Sequence, residues 1–439
     1  MKQNLTTDTP LAEWLNYLEH LHSKTIDMGL ERVSRVAEKM QLLHPSAFVI
    51  TVAGTNGKGT TCRLLETILL NAGCRVGVYS SPHILRYEER VRIQGQELPA
   101  NAHTQAFATI EQQRCDSLTY FEFSTLAALW LFEQANLDVI ILEVGLGGRL
   151  DATNIIDTDL AIITSIDLDH TAFLGNTREQ IGFEKAGICR AHKPLVVGEP
   201  DCPESIKQQA EKLHCQAIYR GKDFDYQQSE NSWCWQSSQQ KLTNLPLCHI
   251  PLPNAATALA ALQFLPFDIG QMEIIESLAK VELAGRFQFL EQAQLQKLAT
   301  TFALTTDTMP QIVLDVGHNP HAARYLATQL AQQKAHYAHI YAVCGILKDK
   351  DAEGVLQPLL PLINEWICVP LAGERGQAGE VLQQKLNVML DKVENNPSVY
   401  AVSSMLQGVE LALKQSQKED LILVFGSFHT VADFLTLLE

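Results

Sequence analysis

Nothing in the 439 residues approaches the roughly 18–20 consecutive apolar positions that a membrane-crossing helix needs, so no membrane partner is expected. The polar stretch Met1–Pro10 lacks the apolar segment of a secretory signal, and the expected compartment is the cytoplasm. No C-x-x-C pair occurs among the ten cysteines, which are Cys62, Cys74, Cys115, Cys189, Cys202, Cys215, Cys234, Cys248, Cys344 and Cys368. Neither a zinc site nor a dithiol redox motif is therefore indicated, and the thiols are expected to be reduced and mostly buried. Positive charge is scarce: 34 Lys and Arg stand against 50 Asp and Glu, a net charge of −16. That balance argues against a nucleic-acid partner, and an anionic ligand must be held by a few placed cations. Internal repeats and low-complexity segments are missing as well, and a monomer is expected.

What is present is a well-packed globular chain, 46% hydrophobic and 19% charged, long enough for two or three domains. A helical pattern from Trp14 to about Met40 is broken at Asp27-Met28-Gly29. Apolar β-rich runs fit strands at Phe48–Ala53, Val76–Ser80, Asp138–Val144, Leu160–Ile166 and Pro194–Gly198. Helical spacing lies between them at Thr60–Asn71 and Phe123–Ala135. Strands alternating with helices predict an α/β fold whose mainly parallel sheet is covered on both faces. Residues 221–250 interrupt the rhythm and predict an antiparallel excursion, followed by a helix from about Asn254 to Leu265. A second alternating series runs through Ile312, His339–Val343, Glu365–Val369, Val399–Val402 and Leu421–Phe425. Gly285, next to Arg286, marks a hinge, which puts the domain boundary near residue 286 and gives domains 1–285 and 286–439.

Ala53-Gly-Thr-Asn-Gly-Lys-Gly-Thr-Thr61 carries the strongest chemistry, because it follows a strand and opens a helix. Backbone N–H groups and the positive end of the helix dipole then face an anion, and glycines let the main chain approach it. Lys58 neutralises phosphate oxygens, and a hydroxyl here can serve Mg2+. The strict pattern G-x-x-x-x-G-K-[ST] is not met: Val52 replaces the first glycine and Gly59 separates Lys58 from Thr60.

Two further strand ends gather acids. Glu143 closes one strand ahead of Gly145, Gly147, Gly148, Arg149, Asp151 and Asn154; Asp167, Asp169 and His170 close the next. Ligands of open parallel sheets sit at the carboxyl ends of strands, so these groups face a metal or nucleotide, or else simply point into water. Mg2+ prefers oxygen ligands, which leaves His170 open on chemistry alone. Lys185, judged only by its type, is a surface lysine, and Phe121 is either a stacking platform or ordinary core.

Taken in order, Gly54-Thr-Asn-Gly-Lys-Gly-Thr60, Ser80-Ser-Pro-His83, Leu142-Glu-Val-Gly-Leu-Gly-Gly-Arg-Leu-Asp-Ala-Thr-Asn154, Asp169-His-Thr171, Glu184-Lys-Ala-Gly-Ile188 and Asp315-Val-Gly-His-Asn-Pro320 resemble the Mur-ligase superfamily. Within it the chain is similar to the bacterial branch that adds glutamate to pteroates and folates, from about Leu11 to the C-terminus. The resemblance implies a P-loop ATPase domain and a smaller C-terminal Rossmann-like domain, with substrates in a cleft that closes about Arg286. It implies ATP contacts at Asn56, Gly57, Lys58, Gly59, Thr60, Asn254, Arg286 and Asp315. Mg2+, as two ions, would be held by Ser81, Glu143 and His170, and Lys185 would be carbamylated. Lys58, Lys185 and His170 would be the catalytic set. The pterin side would use Ile26, Asp27, Met28, Gly29, Thr119, Tyr120, Phe121, Glu122, Leu150, Asp151 and Ala152, with His318 and Ser427 toward glutamate. Gly317 stands where the family usually has alanine, and Glu291–Pro310 is longer than usual.

The implied reaction is ATP-dependent amide synthesis: L-glutamate is joined to 7,8-dihydropteroate and to the tails of reduced folates through an acyl phosphate. Two readings compete. A peptidoglycan Mur ligase would place a UDP-binding domain ahead of the phosphate loop, and about 50 residues before Gly54 are too few for such a core. A non-catalytic nucleotide switch would explain Lys58 but neither the acids nor the second domain.

Overall fold

The computed structural model describes residues 5–391 and 397–439; the first four residues of the polar N-terminal stretch lie outside it. Two compact units divide the chain, Met1–Glu282 and Leu283–Glu439.

In the first unit the strands are β1 (Phe48–Ala53), β2 (Val76–Tyr79), β3 (Val91–Ile93), β4 (Gln96–Glu97), β5 (Val139–Glu143), β6 (Leu160–Ile163), β7 (Pro194–Val197) and β8 (Gln216–Tyr219). They form one sheet in the order β4-β3-β2-β5-β1-β6-β7-β8. From β2 to β8 the pairing is parallel, and β3 and β4 add an antiparallel edge. Alternate residues of β1 enter two cores. Ile50 and Val52 join Leu64, Leu65 and Ile68 on one face, and Val49 joins Trp14, Phe107 and Phe123 on the other. A strand with apolar residues on both sides is stable only when both faces are covered, which is why β1 reads as a continuous run. The chain leaves β1 toward β2 on one side and later reaches β6 on the other, so β1 ends at a topological switch point.

The antiparallel excursion is a three-stranded sheet of β9 (Phe224–Gln228), β10 (Trp233–Ser237) and β11 (Lys241–Leu245). Trp235 is fully buried and donates its indole N–H to the Ala256 carbonyl at 3.0 Å, fixing this sheet to the Leu252–Leu262 helix.

Several boundaries differ from the sequence reading for local reasons. The first helical stretch is two helices, Leu11–Leu21 and Glu31–Lys39. The break is wider than three residues because Asp27 takes His22, Lys24 and Arg32 as side-chain partners. The helix after β1 starts at Lys58, since Gly57 turns the chain at φ +84°. Strand β6 stops at Ile163 because Thr164 and Ser165 turn their hydroxyls onto the Asn56 carbonyl. Thr119 and Glu122 form a capping box, so the next helix is Tyr120–Glu133.

In the second unit β12 (Gln288–Phe289), β13 (Gln311–Asp315), β14 (Ile340–Cys344), β15 (Glu365–Cys368), β16 (Ser398–Ala401) and β17 (Leu421–Phe425) pair in the order β12-β13-β17-β14-β15-β16. Only β12 is antiparallel. Residues 291–310 hold a helix, Gln292–Thr301, and a short 3-10 turn. All ten cysteines are free, and Cys62, Cys74, Cys189, Cys202, Cys344 and Cys368 are buried. Among the described residues no helix is long and apolar enough to cross a membrane.

Candidate active site

At the carboxyl end of β1 the loop 54–57 is clamped to the segment that follows β6. Thr55 N–H donates to the Ser165 carbonyl at 2.8 Å, and Asn56 N–H donates to Ser165 Oγ at 3.0 Å. Thr55 Oγ1 donates to the Asp167 carbonyl and accepts from Asp167 N–H, both at 3.0 Å. A Cβ on Gly57 would lie 2.4 Å from Asn254 Oδ1, and φ there is +84°, so both space and backbone demand glycine. Asn254 Nδ2 in turn donates to Thr60 Oγ1 at 2.8 Å. Lys58 Nζ bends back to the Gly54 carbonyl at 3.0 Å, which holds the ammonium over the loop. The result is a preformed anion cradle at a helix N-terminus.

Neighbouring strands bring the acids alongside. Val52 pairs with Glu143 and Tyr79 with Leu142, so Ser81 lies just past Glu143 on the adjacent strand end. Glu143 is buried. It helps burial push the Cys62 thiol up, while Lys58 pulls it down; Glu143, Lys58 and the helix after β1 thus share one electrostatic neighbourhood. His170 is exposed, takes φ +50°, and caps a four-residue helix, Thr171–Leu174. Among the described residues no three His, Cys, Asp or Glu side chains converge as a metal cluster. The expected set contains a serine and draws on three separate strand ends. Its oxygen donors, Ser81 and the buried Glu143, fit Mg2+ in kind.

The expectation of a surface position for Lys185 is corrected: it is 4% exposed. The Arg178–Ala186 helix is pressed against the loop after β5, where a Cβ on Gly148 would lie 2.9 Å from the Glu184 carbonyl. Arg149 fastens the contact, with its N–H on the Glu184 carbonyl at 2.7 Å and its guanidinium on Glu184 Oε1 at 2.9 Å. Burial first, then the Lys58 ammonium, push the Lys185 amine down to about 7, against the pull of Asp169 and Asp151.

The three segments expected around the pterin meet as well. The Phe121 ring lies against the loop after β5, where a Cβ on Gly145 would be 2.6 Å from its Cζ. A Cβ on Gly147 would be 3.8 Å from Met28 Cε. Arg32 joins Asp27 to Glu122, at 2.8 and 2.9 Å. Glu122 also accepts from Thr119 N–H at 2.7 Å, so its carboxylate is already occupied. Asp151 is likewise engaged, by Leu146 N–H at 2.8 Å and Thr153 Oγ1 at 2.7 Å, and burial pushes its carboxyl up. Tyr120 lies under the Arg90 guanidinium at 5.3 Å. Leu150 is half-buried, Ala152 is buried and Ile26 is 43% exposed.

In the second unit Asp315 ends β13 and accepts from Gly317 N–H at 2.7 Å and Phe287 N–H at 2.9 Å. Burial pushes its carboxyl up, and Arg286 pulls it down. The Arg286 guanidinium sits 5.1 Å over the Phe428 ring, and His318 stands 6.0 Å from that ring. Ser427 follows β17 and caps the Phe428–Thr436 helix. Arg286, Asp315, His318 and Ser427 therefore gather at the carboxyl ends of β13 and β17. Two contact residues were not singled out by the sequence: Arg32, which joins Asp27 to Glu122, and Phe428, which lies directly after Ser427 and faces Arg286 and His318.

A phosphate loop at the switch point of a parallel sheet, flanked by a strand-end acid and a buried lysine, defines a nucleotide-dependent ligase of the Mur type. The family described as Mur ligase middle domain matches residues 52–253, and that described as Mur ligase, glutamate ligase domain matches residues 302–428. A dihydrofolate synthase/folylpolyglutamate synthase of Haemophilus influenzae is 58% identical over 438 residues, 99% of either chain. E. coli FolC, solved in complex with DHPP and ADP, superposes with a TM-score of 0.91 at 49% identity, covering 99% of this chain and 98% of that one. A bifunctional folylpolyglutamate synthase/dihydrofolate synthase solved with Mn, AMPPNP and L-glutamate gives 0.88 at 49% identity, covering 99% and 100%. The chain belongs to the dihydrofolate synthase/folylpolyglutamate synthase family of Mur ligases.

Proposed function

We propose that this chain is an ATP-dependent carboxylate–amine ligase that joins L-glutamate to 7,8-dihydropteroate and to the glutamate tails of reduced folates. The observation that carries it is the cradle at Asn56–Thr60 beside Glu143 and the buried Lys185, in a chain 58% identical to a dihydrofolate synthase/folylpolyglutamate synthase. In this reading residues 1–285 are the ATPase domain and 286–439 the glutamate-ligase domain, and the enzyme works as a monomer in the cytoplasm.

A carboxylate resists attack by an amine, so it is activated first. Its oxygen attacks the γ-phosphorus of ATP, the bond to ADP breaks, and an acyl phosphate forms. The α-amine of glutamate then attacks the carbonyl carbon, loses a proton, and phosphate departs. Lys58 spreads the charge on the transferring group, and the N–H groups of residues 56–60 hold the phosphates. Asn254, Arg286 and Asp315 are assigned to the nucleotide. Ser81, Glu143 and His170 would hold Mg2+, two ions in all, which when bound withdraws charge from the phosphate oxygens. Lys185, with its amine near 7, is neutral often enough at physiological pH to attack CO2. A C–N bond forms between the neutral amine and CO2, one proton leaves to solvent, and the neutral amine becomes a carbamate anion. Phe121 stacks on the pterin, Met28 and Ile26 line its approach, and His318 and Ser427 serve glutamate. No covalent enzyme intermediate is required, since positioning and electrostatics suffice.

The test is phosphate release from ATP with mass-spectrometric product analysis. Release only when glutamate and a pteroate or folate are both present, with a product one glutamyl residue heavier, supports the assignment. ATP turnover indifferent to both acceptors overturns it.

A further inference from the structure

The guanidinium of Arg32 reaches in two directions at once. Nη1 meets Asp27 Oδ2 at 2.8 Å, and Nη2 donates to the Asp27 carbonyl at 2.8 Å and to Glu122 Oε1 at 2.9 Å. Asp27 belongs to the break between the first two helices, whereas Glu122 lies in the first turn of the Tyr120–Glu133 helix, 90 positions beyond Arg32. A single planar group thus bolts a loop to a helix start. The Glu122 side chain is 5% exposed, and the Arg32 guanidinium is its ion-pair partner. Its other oxygen is taken by Thr119 N–H, which leaves Arg32 as its link to the loop. The loop has a second fastening, His22, which bridges Asp27 Oδ2 at 3.1 Å and Ser117 Oγ at 2.9 Å. By contrast Arg35, one turn further on, pairs with Asp116 while 54% exposed.

We propose that Arg32 is a positioning residue for the pterin-bearing substrate, holding Met28 and the Asp27 loop at a fixed distance from Phe121 so that the slot fits a flat bicyclic ring. This rests on the assignment of the pterin to these segments. Arg32 acts through Asp27 and Glu122. Both carboxylates are satisfied by the protein, so the ring is selected by the spacing they set and by the Phe121 face. A lysine supplies one point charge on a flexible stem and cannot replace both arms of the fork.

The experiment compares Arg32→Lys, Arg32→Met and Phe121→Ala in the full chain. Steady-state KM is measured separately for dihydropteroate, ATP and glutamate, together with kcat and thermal midpoint. Arg32→Met is expected to raise KM for dihydropteroate at least tenfold while KM for ATP and for glutamate stay within twofold. Arg32→Lys, which still neutralises Glu122 and is the variant to use if the methionine protein does not fold, is expected to raise it three- to tenfold with little change in thermal midpoint. Equal rises in all three KM values, or an unchanged dihydropteroate KM in the lysine variant, overturn the role of Arg32. If Phe121→Ala also leaves the dihydropteroate KM untouched, the pterin site itself lies elsewhere. A rise in that variant with none at Arg32 rejects the positioning role alone.

Discussion

Asn254 Nδ2 donates to Thr60 Oγ1 at 2.8 Å across 194 positions of sequence, and the same asparagine closes the space in which a Gly57 side chain would sit. The phosphate loop is therefore shaped from behind by the Leu252–Leu262 helix as well as by its own glycines. Gly57→Ala puts a Cβ at φ +84° and 2.4 Å from Asn254 Oδ1. The left-handed backbone alone costs about 1–2 kcal/mol, and the collision adds to it. Urea unfolding should show that loss, and KM for ATP should rise at least tenfold. Combining it with Asn254→Ala removes the collision but keeps the backbone strain, so the double variant should be more stable than the two single losses add up to. Strict additivity would show that Asn254 does not set the shape of the loop.

Lys185 makes stability depend on pH with a definite sign. Its folded value near 7 lies below the ordinary 10.5, so between these the unfolded chain holds a proton that the folded chain has lost. Stability then rises with pH through that window, by up to about 1.4 kcal/mol per pH unit from this group, and the penalty is fully present below pH 7. In CO2-free buffer Lys185→Met should flatten the slope of unfolding free energy between pH 7 and 10 and be the more stable protein at pH 7. Activity should move the other way: Lys185→Ala should lose most turnover and regain part of it with added formate or acetate. A parallel slope in the methionine variant would mean that the amine is not neutral in the fold.

Trp235 links a sheet of no evident catalytic role to the nucleotide side. Its indole is fully buried and bonded to Ala256, on the helix that carries Asn254. Trp235→Ala should cost about 3–5 kcal/mol by urea unfolding and raise KM for ATP more than KM for glutamate. Trp235→Phe keeps most of the volume and should lose less of both. Should the alanine variant leave KM for ATP unmoved, the path from this sheet to Asn254 carries no functional weight.

The residues that announced themselves in the sequence did so because their reason is local. Gly57, Lys58 and Thr60 belong to one turn, and Glu143 closes one apolar run, so spacing and periodicity reveal them. Lys185 is different. Its helix is pressed against Gly148 and Arg149, which sit on the loop after β5, and nothing in Glu184-Lys-Ala-Gly187 announces that neighbour. Arg32 was illegible for the same reason. In the helix Glu31–Lys39 it looks like Arg35, and only the fold decides that one guanidinium spans two segments while the other holds an exposed pair. Strand order was hidden too: β5 lies between β2 and β1 through contacts distant in sequence, whereas the two alternating series that predicted parallel sheets were plain.

The second unit offers the sharpest test of an arginine that combines charge with flatness. The Arg286 guanidinium lies 5.1 Å over Phe428 and pulls the Asp315 carboxyl down against the upward push of burial. Lysine at this position retains the charge facing Asp315 but cannot lie flat on the ring. A cation–π contact is worth about 0.5–2 kcal/mol, which corresponds to roughly 2- to 30-fold in an equilibrium. With Arg286 assigned to the nucleotide, Arg286→Lys should raise KM for ATP within that range and leave KM for dihydropteroate within twofold. Phe428→Leu removes the platform instead of the cation and should give a similar rise. Because either change breaks the same stack, the double variant should be little worse than each single one. If the two effects multiply, Arg286 and Phe428 act independently, and the ring does not orient the guanidinium toward the nucleotide.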